Sequence, residues 1–273
     1  MLNYLYSKWI LNSKNVIVIV LMALINSIVI TKLYNVYART NEPFSVYESG
    51  IVVLNAGLFL FFITIVFVII MSDYPSSDSN LYFLILRCGR KKWFISQMLF
   101  SFLAIMTYIG VVFAFVLIRM APLVFVANGW SLNISDYGKQ MGLLQYIPFQ
   151  LYNQMPPLQA LVFSIVLLWA YLQMLLGFQM LGFSCGSKKI FSVIQMVILA
   201  VGIGMVFLDI QLKWYFPQAH SILCTHYQKY FKRYYFNPYL SLALLIIVGI
   251  AFHVLAYLKF MRTDVDRLKE NEL

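Results

Sequence analysis

Within "HSILCTH", the residues His220, Cys224 and His226 are of the types that hold a metal ion. Tetrahedral zinc takes such ligands, but it needs a fourth donor, and no C-x-x-C or H-x-x-x-H partner accompanies this group. The sequence also lacks H-E-x-x-H, G-x-S-x-G and the phosphate-cradling G-x-x-x-x-G-K-[ST]. No carboxylate pair falls at membrane depth, so no nucleophile or general base can be named. The chain is therefore not expected to be an enzyme, and no cofactor is expected on it.

A second group is electrostatic. Arg87, Arg90, Lys91 and Lys92 crowd into six positions of "LRCGRKKWF", directly before a long apolar run. Such a cluster can orient a membrane span, or it can form part of a docking surface. Before it, Asp73 closes the second apolar run, Pro75, Ser76, Ser77, Asp78 and Ser79 form a turn, and Leu81 to Leu86 is an apolar helix too short to span. Gly89 can end that helix. A short apolar helix at a membrane surface wants a hydrophobic groove on a partner.

The elements that must position these groups follow from composition. Of 273 residues, 62% are hydrophobic and 11% charged, against about 25% charged in a soluble domain. Six apolar stretches approach or exceed the roughly 20 residues that cross a bilayer: 16–34, 51–71, 93–118, 158–182, 190–209 and 239–260. Backbone groups in lipid must be satisfied internally, so each is read as a helix. The expected fold is an all-α integral membrane protein of one domain, residues 1–273, with six transmembrane helices. Leu2, Leu5, Tyr6 and Trp9 have helical spacing and predict an N-terminal interfacial helix. No A-x-A site follows the first apolar run, which is read as an uncleaved anchor.

With the N-terminus inside, the inner segments carry twelve Lys and Arg and the outer ones eight. Both termini are thus expected in the cytoplasm. Every proline lies outside the span cores, so the helices are not expected to be proline-broken. The net charge of +10 suits an anionic membrane surface and calls for no nucleic acid.

The span cores contain no Asp, Glu, Lys or Arg, and His253 is their one ionisable group. Carriers driven by ion gradients place charges at membrane depth. Asn26, Asn55, Gln173 and Gln195 are the notable polar residues there. They either hydrogen-bond between helices or line an amphipathic path. Between the last two spans, Trp214, Tyr230, Phe231, Lys232 and Arg233 belong to an aromatic and basic stretch of interfacial character, a candidate gate.

Residues 72–99 resemble the coupling region of ABC-2 type transporter permeases. The resemblance rests on Asp73, the turn 77–80, the apolar helix 81–86, Gly89–Arg90, Trp93 and Gln97. The family usually has Glu where Asp73 stands, and the Gly-Thr often seen in its turn is absent here. The resemblance covers the six-span layout of essentially the whole chain. It implies a cytoplasmic coupling helix between spans two and three, and a partly re-entrant segment between spans five and six. It further implies a permease subunit of an ATP-driven exporter of a bacterial plasma membrane. ATP and magnesium would act on a separate ATP-binding cassette subunit that docks on Asp73, Asp78, Leu81, Leu84, Arg87, Arg90, Lys91 and Lys92. A second permease subunit would complete a homo- or heterodimer in the lipid bilayer. The implied cargo is hydrophobic or amphipathic: an antimicrobial peptide, a drug or a lipid-like molecule. The alternative is a non-transporting immunity or anchor subunit that binds a peptide or a sensor partner.

Overall fold

A computed structural model describes residues 2–75, 81–143, 146–227 and 234–263. The architecture is almost wholly helical. Among the described residues four helices are long and apolar enough to cross a membrane: α6 (Arg90–Met120, continued by a 3-10 turn to Leu123), α9 (Pro157–Ser184), α10 (Lys188–Phe207) and α12 (Pro238–Arg262). The outer faces of these helices are apolar too; Val193 of α10 is 64% exposed and Ile247 of α12 is 66% exposed. Such surfaces are stable against lipid tails and not against water. This defines the class: an all-α chain built to be embedded in a membrane.

The first predicted span, 16–34, lies inside the 28-residue helix α2 (Ser13–Thr40). The second, 51–71, differs from expectation. It is two helices, α3 (Val46–Asn55) and α4 (Gly57–Ile70), bent by 79° at Ala56. No proline causes the break. The Asn55 side chain donates back to Ile51 O at 2.9 Å, and its Oδ1 accepts the backbone N–H of Cys224 at 3.0 Å. The Cys224 thiol lies 3.4 Å from Asn55 O. A segment distant in sequence thus supplies partners for groups that the break frees, which is the condition for an interrupted helix in lipid. If the bent pair is one span, five candidate spans are present by length and composition.

Helix α1 (Leu2–Ile10) forms where the apolar spacing predicts it. It packs on α6: Leu5 is buried, Tyr6 Oη lies 2.5 Å from Thr107 Oγ1, and Trp9 meets Phe100 edge-on. The short apolar helix becomes α5 (Leu81–Cys88) and stops at Gly89, whose φ of 81° lies in the region glycine tolerates.

At one end of the bundle α2 runs into β1 (Phe44–Ser45), which pairs in parallel with β2 (Val124–Phe125). Glu48, in the first turn of α3, is fully buried there. Its carboxylate accepts Ser45 N–H at 2.9 Å and Ser131 N–H at 2.6 Å, holding the 124–131 loop on the helix start. Two further short helices, α7 (Leu132–Ser135) and α8 (Phe149–Gln154), lie in the connection to α9. The other end gathers the start of α6 and the ends of α9 and α12. Trp93, Phe183 and Phe260 stack there with centroids 4.9–6.4 Å apart.

Candidate functional site

Helices α9 and α12 meet closely because glycines permit it. A Cβ on Gly249 would lie 3.5 Å from the Met174 backbone, and one on Gly177 would lie 2.6 Å from His253 Nδ1. Helix α6 stands further off, and a cleft of about 500 Å³ is left between the three helices. Volumes of that size hold small molecules. One wall is Lys91, Phe94, Ile95 and Met98, at the i, i+3, i+4, i+7 spacing of a single face of α6. Helix α9 contributes Trp169 and Gln173, and α12 contributes Ile250, His253 and Tyr257 among others.

The polar groups in this apolar cleft are few and ordered. His253 Nδ1 lies 2.8 Å from Gly249 O, so that nitrogen carries the proton and Nε2 is an acceptor. Gln173 Nε2 donates to Ser101 Oγ at 3.1 Å and faces His253 Nε2 at 3.5 Å. Gln173 Oε1 and Trp169 Nε1 are buried without a partner among the described residues. An acceptor and a donor thus remain unsatisfied on side chains that line the cleft, where leaving them so costs about 1–3 kcal/mol each.

Gly177→Ala tests the close helix contact. The His253 ring cannot yield without losing its bond to Gly249 O, so a loss of about 1–3 kcal/mol is expected in thermal unfolding. Gly110→Ala is the comparison. Its Cβ meets nothing within 4 Å, and the change is expected to be neutral or slightly stabilising.

The basic cluster divides by role. Arg90 is half-buried, and its Nη1 donates to Met261 O at 3.2 Å and Thr263 O at 2.9 Å, capping the C-terminal end of α12. Thr263 Oγ1 in turn approaches Ser184 O, at the end of α9, at 3.5 Å. Lys91 lines the cleft; Arg87 and Lys92 are exposed, as is Asp73. Leu81 and Leu84 lie on α5, but their side chains, like Asp78, fall outside the described residues. So do Tyr230, Phe231, Lys232 and Arg233.

The other predicted positions scatter. Asn55 sits at the α3–α4 break, engaged with Cys224. Asn26 and Gln195 are buried on α2 and α10, with neither amide atom partnered among the described residues. Trp214 stacks on Phe236 at 5.1 Å, and its carbonyl lies 2.7 Å from His220 Nε2. His220, Cys224 and His226 do not converge on one point, because Cys224 turns to Asn55 while both imidazoles meet Ser241 Oγ. No group of three His, Cys, Asp or Glu able to hold a metal occurs among the described residues.

Sequence reasoning missed Glu48 and the α6 wall of the cleft. Both had a signal. Ser45-Val46-Tyr47-Glu48 is the S-x-x-E of a helix start, and Lys91, Phe94, Ile95 and Met98 share one helical face. No family model, no curated protein and no solved structure matches this chain.

Proposed function

We propose that this chain is the membrane-spanning subunit of an ATP-driven exporter, with ATP hydrolysed on a separate chain. The observation that carries the reading is the Arg90 clamp. The region that resembles an ATPase-docking loop ends in a residue bound to the last turn of α12, and α12 is one wall of the cleft. A force on residues 81–92 would therefore reach the cleft directly through α6, which carries Lys91, and reach its α12 wall through the two Arg90 hydrogen bonds.

Cargo chemistry follows from the lining. Walls that are apolar apart from Lys91, Gln173 and His253 favour a hydrophobic or amphipathic molecule. Peptides fit that description. Two copies of the chain, or this chain and a relative, would form the membrane unit, with the α5 end toward the cytoplasm and all six predicted spans in the bilayer.

Reversing the exposed pair, Arg87→Glu with Lys92→Glu, tests the docking surface. Neither side chain is part of the clamp, so thermal stability is expected to hold while ATP-dependent export falls at least tenfold. Export at the unaltered rate overturns the assignment of this surface.

A further inference from the structure

The segment between α10 and α12 folds around two histidines that share one hydroxyl. It comprises a 3-10 turn (Gln211–Tyr215), α11 (Pro217–Ser221) and a second 3-10 turn (Leu223–His226). His220 Nδ1 and His226 Nε2 each lie 2.7 Å from Ser241 Oγ, at the start of α12. The remaining nitrogens face carbonyls: His220 Nε2 lies 2.7 Å from Trp214 O, and His226 Nδ1 lies 2.9 Å from Ile222 O.

These contacts can be counted in hydrogens. Four nitrogen–oxygen contacts need four hydrogens, because a carbonyl only accepts. Two neutral imidazoles supply one each and the Ser241 hydroxyl supplies a third. One contact is then lone pair against lone pair. A single added proton removes the deficit. One imidazolium donates to Ser241 Oγ, and the Ser241 hydroxyl donates to the other ring. A second added proton would make both rings donors to the two lone pairs of Ser241 Oγ, which would leave the hydroxyl hydrogen without an acceptor among these groups and set two cations around one oxygen.

We propose that His220, Ser241 and His226 form a binding site for one proton, shared between the two imidazoles through the Ser241 hydroxyl. The surroundings suit a delocalised cation. Trp214 and Phe236 stack with centroids 5.1 Å apart. The His220 ring meets Phe236 and the His226 ring meets Trp214, each at 5.1 Å. Lys213, from the first 3-10 turn, acts on His226 as a like charge, and Asp209 pairs with the Lys213 ammonium. The 234–236 turn adds the Tyr235 ring, which lies near Lys213. From α9, Tyr171 faces Gln218 of α11, and α10 offers Ile198 O to the same side chain. α12 contributes the hydroxyl itself.

Burial opposes the proton. It pushes His226 down to about 4 and lowers His220 as well. The pair is therefore neutral above about pH 6.5 and takes up its proton only as pH falls below that. Both imidazoles are depressed, so the stability they contribute when neutral is present above pH 6.5 and is lost as pH falls through their folded values. The site goes beyond the export reading and does not depend on it. It makes the attachment of the 211–227 segment to α12 sensitive to acid.

The chain holds three histidines, so imidazole nitrogens can be followed individually by NMR on the full-length protein in lipid nanodiscs. Between pH 8 and 4, His220 and His226 are expected to move together, with one midpoint below 6.5 and each showing about half of a full protonation change. Ser241→Ala removes the bridging oxygen; the common midpoint is expected to vanish and His226 to titrate at lower pH. Ser241→Thr keeps the hydroxyl and is expected to titrate as the unaltered protein does. Two complete, independent titrations in the unaltered protein overturn the proposal, as does a joint titration that Ser241→Ala leaves unchanged.

Discussion

Glu48→Ala is expected to destabilise the protein by about 3–5 kcal/mol, lowering the thermal midpoint in detergent by roughly 10 °C. The carboxylate is fully buried and accepts two backbone N–H groups, from Ser45 and Ser131. Alanine leaves both donors without an acceptor in a site closed to water, and each such loss costs about 1–3 kcal/mol. Glu48→Gln keeps one oxygen of similar reach but turns an NH₂ toward the other donor. It is expected to fall between the two. The same contacts hold the 124–131 loop on α3, so limited proteolysis near Asn128 is expected to quicken in Glu48→Ala. An unchanged midpoint would mean that the buried carboxylate does not fasten this end of the bundle.

The second large effect is at Arg90. Arg90→Ala removes both donors to the last carbonyls of α12, while the Trp93–Phe260 stack, at 4.9 Å, still holds the helices side by side. Stability is expected to fall by only about 1–3 kcal/mol. On the proposed export function, transport is expected to fall by about tenfold or more, because the hydrogen-bonded link from residues 81–92 to the last turn of α12 is lost. Arg90→Lys is not expected to restore it. Both bonds come from one guanidinium nitrogen, Nη1, and a lysine ammonium on a shorter, more flexible stem does not hold its donors at that point. The separation of a small stability loss from a large transport loss is what identifies a transmitting contact. Equal export by Arg90→Ala and the unaltered protein would remove the mechanical link from the account.

Much of the helix layout was legible in the sequence. The 2–10 spacing marked α1, the serine-rich turn and Gly89 bracketed α5, run 16–34 falls inside α2, and the runs at 93–118, 158–182, 190–209 and 239–260 coincide with the four candidate spans among the described residues. The break at Ala56 was not legible, since it has no proline and depends on Cys224, far along the chain. Long-range partners of this kind leave no periodic signature. Glu48 escaped notice because it falls just outside the apolar run 51–71, although the spacing from Ser45 marked it as a helix start. The cleft was legible only in parts. Gln173 and His253 stood out as polar groups in apolar helices, but a cavity is set by which faces fail to meet. Helices that are apolar all round do not declare that in their sequence.

The most direct test of the central claim is affinity purification of the tagged chain from its native membrane in mild detergent. Co-purifying chains would be identified by mass, and ATP hydrolysis assayed. A stoichiometric partner carrying a phosphate-binding loop is expected, with partner and hydrolysis both lost in the Arg87→Glu, Lys92→Glu variant. A chain that purifies with no ATPase, in more than one detergent, would contradict it and favour a membrane anchor or peptide-binding immunity protein instead.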